Sequence, residues 1–279
     1  MGTGPDQQID DIERLGLHRH HSARIYDYFL GGKTHYPPDR MVAEKLLEAF
    51  PGFRTAATCN RMFMHRAARY VAGHGIRQFL DIGTGIPTSP NLHEVVQAVV
   101  PDARIVYVDN DPIVLAHSRA LLASTPEGRT AYLEADVTEP DKILSAPEVN
   151  EVLDLSQPVA LSLVGVFHYL VDELDPYGIV ERLMEPLVPG SYLIFSHCTP
   201  DFAPEEWKQV IEIYKGDGGS AQVRSRDEIN RFFTGLELVE PGLEVPHRWH
   251  PDAETDKLVQ NGQLDDAGVS LWAGVALKR

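Results

Sequence analysis

Short apolar runs alternate along this chain with segments whose apolar positions recur at helical spacing. Phe79, Leu80 and Ile82 in IRQFLDI mark a first strand. RIVYVD (104–109), apolar almost throughout, reads as a second strand buried on both faces. TAYLEAD (130–136), PVALSLVGV (158–166) and SYLIFSHC (191–198) predict three more. Between them Asn91 precedes Glu94 by three residues, and Asp111-Pro112 and Asp175-Pro176 each open a helix. A looser, partly helical segment runs to Leu155. PEEWKQVIEIYKG (204–216) is a helix, and Ser225 with Glu228 forms a capping box that opens another. The tail segments LELVEPGLEVPHRW (236–249) and VSLWAGVALKR (269–279) read as two strands with no helix between them. Helices between five strands imply a parallel sheet covered on both faces, to which a terminal hairpin adds an antiparallel edge. The fold class expected for 76–279 is therefore α/β, a doubly wound, mostly parallel seven-stranded sheet with an antiparallel terminal edge strand.

The first part of the chain has a different texture. Residues 1–17 are polar and expected to fray. Residues 18–75 are expected to form a helical N-terminal cap. Within it 18–40 is aromatic, histidine-rich and broken by Gly31-Gly32 and Pro37-Pro38, the pattern of a structured loop. A helix is predicted from Asp39 to Phe50, and a second one capped by Thr55 and closed by Gly73.

Of the 279 residues, 43% are hydrophobic and 24% charged, ordinary for a soluble globular protein. Twenty-five basic against 41 acidic residues leave a formal charge of −16, which argues against a surface built for nucleic-acid phosphates. Cys59 and Cys198 are too few for a disulfide framework, and no basic-then-apolar leader or membrane-length apolar run is present. A cytoplasmic protein is expected, with no nucleic-acid and no membrane partner.

The strand ends carry the candidate chemistry. Strand one ends in Asp81 and a turn in which Gly83 and Gly85 let the backbone bend and approach a ligand. The helix starting near Asn91 is expected to point its free N–H groups and positive dipole end at that turn. Strand two ends in Asp109-Asn110, where a carboxylate accepts from both ribose hydroxyls. Strand three ends in Asp136-Val137, an acid and an apolar group suited to an adenine amino group and ring face. Ligands of open parallel sheets bind beyond these carboxyl ends.

With these residues in view the chain resembles the class I S-adenosylmethionine-dependent methyltransferases over about 77–279, and so a Rossmann-like methyltransferase fold. DIGTG, which is Asp81 through Gly83, Thr84 and Gly85, matches that class's glycine motif; YVDND matches its ribose acid and EADV its adenine-contact position. Pro87 stands where the class commonly has a third glycine, which removes one N–H donor. More narrowly, ARIYDYFLGGKTHYPPDR, NRMFMHRAARY and FLDIGTGIPT resemble a bacterial S-adenosyl methyltransferase family, largely uncharacterised. The resemblance implies S-adenosylmethionine as cofactor and leaves the acceptor open. A dehydrogenase using NAD is the rival reading, but its fingerprint needs glycine where Thr88 stands. A binding or sensor module without transfer is the other alternative.

Methyl transfer to a hydroxyl or amine of a small-molecule acceptor is helped by a base. His168, just past strand four, is the candidate catalytic residue, with His197 a weaker one on the acceptor side. The loop from Tyr26 through Tyr28, Lys33, His35 and Tyr36 is the candidate lid, with Gly31-Gly32 as its hinge. Arg61 reads as a solvated helix arginine, and Met64 as core filler. His18, His20 and His21 lack cysteine or acidic ligands at metal spacing, so they read as an exposed cluster and no metal is expected.

Overall fold

A computed structural model describes residues 15–121 and 124–279. Its strands are β1 (Gln78–Ile82), β2 (Arg104–Asp109), β3 (Arg129–Glu134), β4 (Ala160–Val164), β5 (Tyr192–Cys198), β6 (Glu237–Leu238) and β7 (Leu271–Leu277). They form one sheet in the order β3-β2-β1-β4-β5-β7-β6. Strands β1 to β5 pair in parallel, whereas β7 runs antiparallel to both β5 and β6. The mostly parallel, seven-stranded architecture is the Rossmann-like one. The reversed strand β7 lies one place in from the edge, and the edge itself is the two-residue β6.

Alternation along the strands builds two cores. Leu80, Ile82, Val106 and Val108 point to one face, and Phe79, Ile105 and Tyr107 to the other, all buried. Both faces are covered by helices, which is why the central strands carry no polar side and read as continuous apolar runs. The second face packs against α3 (Phe53–Gly73) through Phe63, Ala67 and Val71.

Before α3 come α1 (Ser22–Phe29) and α2 (Pro37–Ala49). Helix α1 lies inside the stretch read as a loop, and the reason is tertiary. Arg24 and Asp27 interrupt its apolar face, yet both are buried. Arg24 Nε sits 3.1 Å from Asp111 Oδ2 and 3.7 Å from Asp39 Oδ1. Asp27 Oδ2 accepts the Thr34 N–H at 2.8 Å, which ties down the Gly31-Gly32 turn. Helix α3 begins at Phe53, with Gly52 and not Thr55 at its cap. Residues 1–14 of the segment expected to fray lie outside the described residues; Leu15 and Leu17 pack against Ile86, Ile113 and Val114.

After β1 come α4 (Leu92–Gln97), α5 (Pro112–Leu121), α6 (Pro140–Ser145), α7 (Pro147–Val152), α8 (Pro176–Met184), α9 (Pro204–Gly216) and α10 (Arg226–Asn230). Asp175 caps α8 by accepting from the Gly178 N–H, and Ser225 with Glu228 forms the expected capping box of α10. The last two strands are not a hairpin. α11 (Ala253–Gln260) and α12 (Asp266–Val269) lie between them. α11 has a single buried residue, Thr255, so it shows almost no apolar periodicity to read. Among the described residues no helix is long and apolar enough to cross a membrane.

Candidate active site

The parallel register sets Asp81 opposite Tyr107, two residues short of Asp109 at the carboxyl edge. Ile82 pairs with Val108, and the Gly83 N–H continues the ladder to the Val108 carbonyl at 2.8 Å. Gly83 has a φ of +77°, and a Cβ there would lie 2.7 Å from Val166 Cβ. Gly83→Ala is therefore expected to destabilise the fold by about 1–3 kcal/mol, through overpacking and a left-handed backbone. Urea denaturation reads that loss. Gly85, with a φ of +70°, donates its N–H to Asp109 Oδ2 at 2.8 Å. The Asp111 N–H binds Asp109 Oδ1 at 2.9 Å. Each Asp109 oxygen thus retains acceptor capacity for a diol. Burial pushes the Asp109 carboxyl above its ordinary range, against the pull of those two N–H groups.

Asp81 is buried beside them. Burial pushes it up to about 6, while the Ser162 and Thr84 hydroxyls and the charge of Arg61 pull it back. A cavity opens over this edge, walled by Asp81, Gly83, Thr84, Gly85, Asp109, Asn110 and Val137. Its further walls include His21, Arg61, Met64, Ala135, Gly165 and Tyr169. Arg61 is held there by the Thr88 and Pro90 carbonyls, its Nη2 lying 2.8 Å from Pro90 O. An acid and a guanidinium on one wall, a paired carboxylate on the next and apolar Ala135 and Val137 beyond suit an amino acid, a ribose and a purine in turn.

A second, apolar cavity adjoins the first. Tyr26, Gly165 and Tyr169 line both. Its other walls include Phe29, Phe53, Asn60, His168, Trp207 and Tyr214.

The sequence pattern of the S-adenosyl methyltransferase family matches residues 8–279. The chain belongs to that family. A Streptomyces avermitilis protein of the DUF574 family is 49% identical, with a TM-score of 0.91 over 95% of this chain and 100% of that one. A Thermobifida fusca protein, proposed to be a methyltransferase, is 39% identical with a TM-score of 0.85 over 95% and 97% of the two chains. The plantazolicin methyltransferase BpumL, solved with SAH, shares the fold at 13% identity and a TM-score of 0.51, covering 98% of this chain and 99% of its own. A comparison with curated proteins returned no match. The chain is thus an S-adenosylmethionine-dependent methyltransferase.

Several residues of the methyltransferase sit differently from their sequence reading. Asp136 does not line the first cavity: its Oδ1 binds the Thr138 N–H and hydroxyl, and its Oδ2 takes the Asn110 amide at 2.9 Å. Burial works against ionisation there, but these bonds hold the carboxyl below its usual range. Helix α4 lines neither cavity; Asn91 and Glu94 close its first turn as a capping box. Of the residues named for the candidate lid, only Tyr26 reaches the cavities, while Phe29 within the same stretch lines the second. Lys33 is exposed, and Tyr28, with Arg54 over its ring, lines neither cavity. His35 bonds to Gly32 O, and Tyr36 caps α2. His21 and, from α1, Ser22, Ala23 and Tyr26 line the first cavity. His21 is no exposed cluster member: its Nδ1 accepts from the Ala23 N–H and lies 3.3 Å from Asp111 Oδ2.

His197 also lines neither cavity. Its Nδ1–H donates to Cys198 O at 2.7 Å, which leaves Nε2 to accept from Arg224 at 3.0 Å. That pairing fixes a neutral tautomer with no free nitrogen. His168 does line the second cavity. Its Nδ1 is buried without a hydrogen-bond partner, and burial together with the charge of Arg224 pushes the imidazole down to about 3. Arg61, Met64, Gly165 and Tyr169 join the site from helix and loop positions. Only Gly165, immediately after strand four, carried a signal in the sequence.

Proposed function

We propose that this methyltransferase acts on a small-molecule acceptor seated in the second cavity, at an oxygen or nitrogen. The observation that carries the reading is the shared wall of Tyr26, Gly165 and Tyr169, where the two cavities meet. When bound, S-adenosylmethionine supplies an electrophilic methyl group, which passes to the acceptor as the carbon–sulfur bond breaks, its electron pair staying on sulfur. The protein's task is alignment. Asp81 and Arg61 hold the ammonium and carboxylate of the donor's amino-acid end, Asp109 the ribose, and Ala135 and Val137 the purine. His168 accepts the proton that the acceptor releases.

Asp81 makes donor binding depend on pH. A carboxyl titrating at about 6 must lose its proton before it pairs with an ammonium group. Affinity is expected to be flat above pH 6 and to fall by up to about tenfold per unit below it, as linkage requires. Calorimetry across that range checks this, and Asp81→Asn should weaken binding at neutral pH and remove the dependence. His168→Ala is expected to leave donor affinity nearly intact and to slow transfer by about a hundredfold or more.

Incubation with methyl-labelled donor and a mixture of metabolites, protein and RNA, followed by mass spectrometry, tests the acceptor. Label is expected in a small molecule. Donor binding with the label carried only by protein or RNA would contradict the reading.

A further inference from the structure

The second cavity states its own chemistry. Its walls carry no Asp, Glu, Lys or Arg. Phe29 and Phe53 stack at 4.9 Å, and Phe53 meets Trp207 edge to face at 5.6 Å. Burial pushes the Tyr26 and Tyr214 hydroxyls up to about 12 and the Cys198 thiol further still, so these groups are neutral. Arg224, whose charge bears on His168, is already engaged by Asp172 Oδ1 at 2.6 Å and Leu170 O at 3.0 Å. Its Nε has no hydrogen-bond partner, but Arg224 does not line the cavity.

Tyr26 and Asn60 at the mouth are satisfied within the protein, whereas His168 Nδ1 is not. Tyr26 donates to Ala57 O at 2.9 Å and accepts from the Asn60 amide at 3.4 Å. Asn60 Oδ1 accepts from the Ser196 hydroxyl at 2.7 Å. His168 Nδ1 is buried and unpartnered. A buried polar atom in that state costs free energy until a ligand satisfies it.

We propose that this cavity selects an uncharged aromatic acceptor bearing a hydroxyl, its ring among Phe53, Trp207 and Tyr214 and its hydroxyl on His168 Nδ1. The inference rests on the assignment of the neighbouring cavity to the donor. A hydroxyl both donates and accepts, so it satisfies Nδ1 in either tautomer. Flat rings gain edge and face contacts from aromatic walls that saturated rings lack. In the transfer the acceptor's oxygen–carbon bond forms as the donor's carbon–sulfur bond breaks. The hydroxyl proton moves to an unprotonated Nδ1, the tautomer that transfer requires, only as the sulfonium charge is lost, because burial disfavours the imidazolium; the site keeps its net charge. The proton then leaves to solvent.

The cavity measures about 40 Å³, below the roughly 150 Å³ of an apolar cavity that admits benzene. Entry of a ring therefore displaces the aromatic walls, and Trp207, whose indole N–H donates to Ser270 Oγ at 2.8 Å, reports it by fluorescence. The test titrates p-cresol, toluene, p-toluate and methylcyclohexanol, with and without saturating S-adenosylhomocysteine. p-Cresol is expected to bind tightest, with p-toluate and methylcyclohexanol each weaker by about tenfold. His168→Leu should cost p-cresol about tenfold and leave toluene unchanged. Ala221→Met, which narrows the apolar end, should weaken every aromatic probe while S-adenosylhomocysteine still binds. The inference is overturned if p-toluate binds as tightly as p-cresol, if the saturated alcohol matches it, or if none of the probes binds. Failure of S-adenosylhomocysteine alone would count against the donor assignment, and the probe ranking is read without it.

Discussion

Replacing Asp109 by alanine is expected to weaken binding of S-adenosylmethionine by about tenfold or more, because it removes the paired acceptor for the ribose. The structure adds a second consequence. Asp109 also receives the Gly85 and Asp111 N–H groups, so its loss disturbs the glycine turn that shapes the same cavity. Asp109→Asn keeps part of each role: its amide oxygen replaces one acceptor, and its NH₂ group faces a backbone donor. Both variants should bind weakly and lose stability, the asparagine form by about 1–3 kcal/mol from one unpaired backbone donor and the alanine form from two. Calorimetric titration measures the first effect and thermal denaturation the second. Unchanged affinity in Asp109→Ala would mean that the donor lies elsewhere.

The largest expected loss of stability belongs to Arg24. Its guanidinium is buried against Asp111 and Asp39, which are buried themselves. Arg24→Ala leaves two carboxylates in the interior without that counter-charge, a change that typically costs about 3–5 kcal/mol. His21 Nδ1, 3.3 Å from Asp111, accepts from the Ala23 N–H and supplies no proton to that carboxylate. Because α1 also carries Tyr26 onto both cavities, the variant should lose donor affinity as well as melting temperature. Pairing Arg24→Met with Asp111→Asn should recover part of the stability, since a partly neutralised site costs less than a broken ion pair. A double-mutant cycle by denaturation checks this. Additive losses would show that the two side chains do not act as a pair.

What could be read in advance follows from how local each cause is. Strand β2 spans Arg104–Asp109 as its apolar run predicts, because burial on both faces leaves no polar side to confuse the pattern. The caps at Asp175 and at Ser225–Glu228 are short-range chemistry, and they stand where the sequence places them. Helix α1 was hidden because Gly31-Gly32 and Pro37-Pro38 made all of 18–40 read as a loop, and Arg24 and Asp27 find their buried partners Asp111, Asp39 and the Thr34 N–H only in the folded chain. Arg61 looks solvated on a helix, yet the Thr88 and Pro90 carbonyls hold it on the wall of the first cavity. The acids of β1 and β2 are legible because each lies at or next to the carboxyl end of a short apolar run. Asp136 is not, because its engagement with Thr138 and Asn110 is a matter of turn geometry. The aromatic cavity had no linear signature, since its walls come from α1, α3, α9 and the segments around His168 and Ala221.

Titration of the protein with S-adenosylhomocysteine, repeated on Asp81→Asn and Asp109→Ala, tests the central assignment most directly. The account predicts saturable binding at one site, weakened in both variants, with the pH dependence below about 6 present in the native protein and absent from Asp81→Asn. Undetectable binding at millimolar ligand, or binding that neither substitution alters, would contradict it.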